Sequence, residues 1–146
     1  MPQDPDPRLF GELLALARGA WIREMALRLG RLGYPHYRRS DAVALRWLVH
    51  GRLPLGEVTA ALGVSRQAAR KVVDGLVDRG YARVERDRGD GRRLNVELSA
   101  DGTRYALAVI KVVAELNDDV ERQADAYDLG VVKAVLRTVT ARYGHA

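Results

Sequence analysis

Between Ser65 and Arg93 the chain sets out residue types that hold and read a polyanion. Advancing about 100° per residue from Ser65 puts Ala69, Val72, Val73 and Leu76 on one side of a helix. The opposite side carries Gln67, Arg70, Lys71 and Asp74, with Arg66 beside them near the N-terminus. Arginine offers two donors to guanine O6 and N7, and glutamine pairs with adenine N6 and N7. Ser65 and the helix N-terminus can hold a phosphate. A turn follows with Arg88, Arg92 and Arg93 at or near its tip. A narrow minor groove has enhanced negative potential and attracts such side chains. Asp90, two residues before Arg92, is placed to brace it. The chemistry this points to is recognition of duplex DNA.

Charge supports that reading by its location more than by its total. The 146 residues carry a net charge of +5, and the pI is about 9.9. Nine basic residues lie from Arg66 to Arg93 (Arg66, Arg70, Lys71, Arg79, Arg83, Arg86, Arg88, Arg92, Arg93). Five acids lie with them (Asp74, Asp78, Glu85, Asp87, Asp90), so +4 of the +5 sits in this stretch. For any single arginine, a solvated surface position is the plainer reading.

The elements that must position these residues follow from periodicity and punctuation. Prolines break residues 1–7 into a tail. Leu9, Leu13, Leu16, Ala17, Ala20, Trp21 and Leu27 recur at helical spacing from Arg8 to about Leu32, and Gly33 and Pro35 stop them. Ser40 is read as the N-cap of a helix from Asp41 to His50, with Val43, Ala44, Trp47 and Leu48 as its buried stripe. A short helix, Leu55 to Leu62, leads through Gly63 to the helix capped by Ser65, which runs to Arg79 and stops at Gly80. Ala69, Val72, Val73 and Leu76 are expected to pack on Val58, Leu62 and Val64. Tyr81 to Glu85 and Leu94 to Leu98 read as two strands around the turn RDRGDGRR. Ser99 caps a helix from Ala100 to about Ala124, whose apolar face is Ala106, Val109, Ile110, Val113, Leu116 and Val120. A last helix, Asp128 to Tyr143, turns Leu129, Val132, Val135, Leu136 and Val139 inward.

The predicted fold is therefore mainly α with a small β-wing, a winged helix-turn-helix with N- and C-terminal dimerisation helices. Residues 1–7 form the tail, 8–39 the first dimerisation helix and its loop, 40–99 the DNA-binding domain and 100–146 the remaining dimerisation helices. A lone small domain cannot cover the apolar stripes of the end helices, so a homodimer is expected. Its two-fold axis predicts a pseudo-palindromic site with half-sites about 34–36 Å apart. The chain has no cysteine, which excludes disulfides and thiolate metal sites. His36, His50 and His145 lack metal-ligand spacing, and neither metal nor cofactor is expected. No apolar run approaches the roughly 20 residues that cross a bilayer, and the acidic, proline-broken start lacks a signal-peptide pattern. A cytoplasmic protein with no membrane association is expected. No nucleophile–base pair, P-loop or dinucleotide fingerprint stands out, so an enzyme is not.

The stretch Leu62 to Gly102, LGVSRQAARKVVDGLVDRGYARVERDRGDGRRLNVELSADG, resembles the signature of the MarR family of winged-helix transcriptional regulators. The matching elements are Ser65-Arg66 at the start of the recognition helix, the Leu76 to Gly80 exit, the Asp90-Gly91-Arg92 wing and the Leu98 to Gly102 helix start. The family often has proline after the wing's first aspartate, where this chain has Asp87-Arg88. That departure implies a more flexible and more basic tip. The resemblance implies a homodimeric, ligand-responsive repressor that answers small aromatic or phenolic effectors where the dimer helices meet the DNA-binding lobe. Candidate ligand contacts are Trp21, His36, Tyr37, Trp47 and Tyr105, although core or surface packing is the plainer reading of each, Trp47 above all. The absence of cysteine rules out the peroxide-sensing mode of some relatives. The competing reading is a winged-helix protein-interaction module without sequence-specific DNA binding.

Overall fold

A computed structural model describes residues 6–144. Most of the expected tail, and His145, lie outside them. The elements are α1 (Phe10–Arg31), α2 (Asp41–Leu48), β1 (Leu53–Pro54), α3 (Leu55–Leu62), α4 (Arg66–Asp78), β2 (Ala82–Arg86), β3 (Leu94–Leu98), α5 (Ala100–Gln123) and α6 (Ala126–Tyr143). They form two units, Met1–Arg39 and Ser40–Ala146.

In the first unit, the Leu9 amide donates to Glu12 Oε2 at 2.7 Å, which fixes the start of α1. At the other end the Tyr34 amide reaches back to the Leu29 carbonyl at 2.8 Å. Along the helix Leu9, Phe10, Leu14, Leu16 and Leu27 are exposed.

The second unit is a winged helix-turn-helix extended by α5 and α6. Its core takes Ala44, Leu45 and Leu48 from α2, Val58 from α3, and Ala69, Val73 and Leu76 from α4. Val96 of β3 and Tyr105, Ala106, Val109 and Val112 of α5 complete it. Burial of each leucine or valine stabilises by about 1.5–3 kcal/mol. α2 packs on both α3 and α5, and α3 packs on α4. Ser65 caps α4 by accepting the Ala68 amide at 3.2 Å. Gly80 ends it at φ +77°, with the Gly80 amide on Val77 and the Tyr81 amide on Leu76. A side chain at that left-handed position would be strained.

Several expectations are corrected. The sheet has three strands in the order β1-β3-β2, all antiparallel. The added strand is two residues long, too short to show alternation. Its Pro54 is tolerated because β1 is an edge. Ser40 has helical backbone angles and makes no side-chain cap bond. Trp47 is 50% exposed rather than core. Asp41, Ala44, Leu45 and Leu48 define the buried face of α2, and Trp47 sits roughly 240° around the helix from Asp41. Val64 is exposed at the turn. The last helix starts at Ala126, capped by Asp125, and none of its residues is buried. Val132 and Val135, expected inside, are exposed. In α5, Tyr105 and Val112 take core positions, whereas Val120 is exposed.

Candidate nucleic-acid interface

The basic surface is built by two local devices. The first is the closure between the end of α4 and the start of α5. The Ser99 hydroxyl donates to the Gly80 carbonyl at 2.6 Å and accepts the Gly102 amide at 3.0 Å. A Cβ at Gly102 would lie 1.8 Å from the Tyr81 carbonyl oxygen, so only glycine permits this approach. The spacing Gly80…Ser99-x-x-Gly102 thus locks the base of the wing to the exit of α4.

The second device is the wing tip. The Asp87 amide donates to the Arg93 carbonyl at 2.8 Å, and the Arg93 amide to the Asp90 carbonyl at 2.9 Å. Asp87 Oδ1 accepts the Gly89 amide and Oδ2 accepts Asn95 Nδ2. The Gly89 amide is the main reason the Asp87 carboxyl lies below its usual range, with Asn95 next and the charge of Arg93 a smaller contribution. Arg86 Nη1 donates to the Gly91 carbonyl at 2.8 Å. Asp90 does brace Arg92, but through the backbone: its Oδ1 accepts the Arg92 amide at 3.1 Å. Arg92 itself is exposed. These bonds hold the tip where proline would otherwise restrict it.

Ser65, Arg66, Gln67, Arg70 and Lys71 are all exposed on α4. Asp74 pairs with its own helix, accepting Arg70 Nε at 2.9 Å. It therefore orients an arginine and shields part of its charge. Arg66 joins Arg92 and Arg93 in lining an open cleft of about 480 Å³, with Pro54, Leu55, Gly56 and Glu57 also on its walls. Arg88 is not brought into that cleft. It lines a second one of about 290 Å³ with Arg52, Glu85, Arg86, Asp87 and Asn95. Arg52 was missed in the sequence because it stands alone between two helices.

Of the effector candidates, Tyr105 is 1% exposed, and its hydroxyl donates to Asp41 Oδ2 at 2.8 Å. That places it in the core of the second unit. Trp47 is exposed on α2, Trp21 lies on α1, and His36 and Tyr37 lie in the loop after it. Among the described residues no cluster of three or more His, Asp or Glu is placed to hold a metal ion. None of the described helices is long and apolar enough to cross a membrane.

The family model described as MarR family matches residues 38–93, from the loop before α2 to the last arginine of the wing tip. Over that stretch the chain is similar to the MarR family. The solved structures extend the likeness of fold to nearly the whole chain. PcaV from Streptomyces coelicolor, with its natural ligand, is 22% identical over 97% of this chain and 98% of its own, with a TM-score of 0.79. The MepR–DNA complex from S. aureus is 16% identical over 92% and 98%, with a TM-score of 0.80. A MarR variant from E. coli complexed with operator DNA is 18% identical over 88% and 91%, with a TM-score of 0.74. No curated protein matches the chain in sequence. The MarR segment holds α4 and the wing tip together, while α1, α5 and α6 fall outside it.

Proposed function

We propose that this chain is a transcriptional regulator that binds duplex DNA as a homodimer on a pseudo-palindromic operator, and that it represses until a small aromatic or phenolic effector releases it. The observation that carries the reading is the shared cleft of Arg66, Arg92 and Arg93, which unites the start of a base-reading helix with the tip of a wing. In this reading Ser65 and Arg66 engage phosphate, Gln67, Arg70 and Lys71 meet base edges in the major groove, and Arg92 enters the minor groove. Arg88 and Arg93 neutralise flanking backbone.

The dimer reading is supported by α6, in which Tyr127, Val131, Val132, Val135 and Tyr143 are all exposed. A second copy is the natural cover for such a face. The solved relatives described as bound to DNA or to a natural ligand support the same assignment. A soluble, cytoplasmic regulator without metal or cofactor follows. The chain is proposed to divide as tail, first dimerisation helix, DNA-binding domain and final helices, over 1–7, 8–39, 40–99 and 100–146. Selection of bound sequences from a random duplex pool tests the function. A two-fold symmetric motif is expected, and a pool with no enrichment refutes it. Sedimentation at micromolar concentration tests the dimer, which a 16.2 kDa species would exclude.

A further inference from the structure

Asp41 opens α2 and is 0% exposed, and its place in the core is set by partners far away in sequence. Arg79, one residue past α4, grips it with both terminal nitrogens, Nη1 to Oδ2 at 2.7 Å and Nη2 to Oδ1 at 2.9 Å. The Tyr105 hydroxyl of α5 donates to the same Oδ2 at 2.8 Å. Arg79 Nε donates to the Gly75 carbonyl inside α4 at 2.8 Å. Its guanidinium lies 5.6 Å from the ring centre of Tyr81, which is 4.4 Å from that of Tyr105. Three helices therefore meet at one buried carboxylate.

Such a group is a poor way to gain stability, because desolvation offsets much of the attraction and an apolar trio of equal volume serves as well. What it supplies is direction. A two-pronged arginine–carboxylate pair has one geometry, whereas packed aliphatic side chains can slide. The helix it fixes is the one with Arg66, Gln67 and Arg70 on its outer face. Arg66 lies about 20 Å from Arg79 along the axis, so a small tilt at the far end displaces the reading residues by ångströms. Base contacts need hydrogen-bond geometry within a few tenths of an ångström, while the long-range attraction to phosphate does not.

We infer that Asp41, Arg79 and Tyr105 form a positioning node that sets the angle of α4 against α5, so that the buried Tyr105 hydroxyl determines sequence discrimination without touching DNA. The inference rests on the DNA-binding reading, and its test separates the two. Tyr105→Phe in the full chain keeps the ring and its contact with Tyr81 and removes only the hydroxyl. Arg79→Lys keeps the charge and removes the fork. Hydrogen exchange of the backbone amides needs no DNA: in both variants the amides of the last turn of α4 should exchange about tenfold faster, with those of α3 and the rest of α5 unchanged. Affinity for the selected duplex should fall about tenfold, the size of one misplaced base contact. Affinity for random duplex, and the salt slope of both, should stay within twofold. Unchanged exchange at the end of α4 overturns the node. So does a parallel loss on both duplexes, which would mark a merely structural role. If the wild-type chain fails to distinguish the duplexes, the DNA-binding reading fails with the discrimination claim, and the exchange data still decide whether the node holds the helix.

Discussion

Replacing Asp41 by alanine should be among the most damaging single changes available in this chain, and replacing its neighbour Ser40 should do almost nothing. Among its partners, the carboxylate accepts two hydrogen bonds from Arg79 and one from Tyr105. Its loss leaves an arginine whose side chain is only 12% exposed facing an emptied site, and removes one acceptor from the buried Tyr105 hydroxyl. Hydrogen bonds to charged groups are worth about 1.5–3 kcal/mol each, which sets an upper bound well above 4 kcal/mol. Arg79 keeps its bond to the Gly75 carbonyl and its place over Tyr81, which offsets part of this. The expected cost is therefore about 3–5 kcal/mol, the range for a buried pair broken on one side. Ser40→Ala should stay within about 0.5 kcal/mol, because the serine makes no side-chain cap bond.

The assay is urea unfolding at one fixed protein concentration, since association would otherwise shift the midpoint. The slope should be unchanged and the midpoint should move. The double variant Asp41→Ala with Arg79→Met should recover part of the loss, because the uncompensated charge goes with its partner. The reasoning is refuted if Asp41→Ala lies within about 1 kcal/mol of wild type, or if the double variant is worse than Asp41→Ala alone.

Gly102→Ala should cost about 1–3 kcal/mol by thermal unfolding, because the new Cβ meets the Tyr81 carbonyl oxygen. Gly30→Ala, with nothing within 4 Å, should instead stabilise α1 by about 0.5–1 kcal/mol. Arg92→Ala should flatten the log–log salt dependence of DNA binding by up to about 2 per dimer, one phosphate-equivalent contact in each wing. Arg70→Ala should relax sequence preference with little change in slope, as read by titration against matched and mutated operators. Burial, with the Asp41 charge next, raises the Tyr105 hydroxyl well above the usual tyrosine range. Above pH about 10 the unfolded tyrosine releases its proton while the folded one keeps it, so stability should fall as pH rises. Urea midpoints at pH 8 and 11 should show that fall, and Tyr105→Phe should lessen it.

Helix α4 was legible because its pattern is local. Ala69, Val73 and Leu76 are all 0% exposed, and Ser65 caps where the periodicity begins. The Ser99-x-x-Gly102 start was legible for the same reason, although the collision that requires glycine appears only when Tyr81 is brought over it. The buried node was not legible, because its members are 38 and 64 residues from Asp41 in sequence. An aspartate at the first position of a helix has an ordinary explanation in the helix dipole, and nothing local contradicts it. Trp47 misled for the converse reason. Its size argues for burial, but the face of α2 was already set by Asp41, Ala44, Leu45 and Leu48.

The count of nine basic residues between Arg66 and Arg93 overstates how many are without an internal partner. Arg79 is committed to Asp41, Arg83 to Glu97 at 2.8 Å across the strands, and Arg86 to the Gly91 carbonyl. Arg70 is partly held by Asp74. Arg66, Lys71, Arg88, Arg92 and Arg93 form no ion pair within 4 Å among the described residues, and they occupy the start of α4 and the wing tip. An arginine already paired must give up its partner before it can neutralise a phosphate, so its contribution to the salt slope is smaller. Charge counting along the sequence would spread DNA affinity evenly over nine positions. On the proposed DNA-binding reading, pairing instead concentrates it on five. Arg83→Ala should therefore leave the salt slope of DNA binding unchanged, whereas Arg66→Ala should lower it by up to about 2 per dimer. Equal slopes for the two variants would show that internal pairing does not decide which arginines reach the backbone.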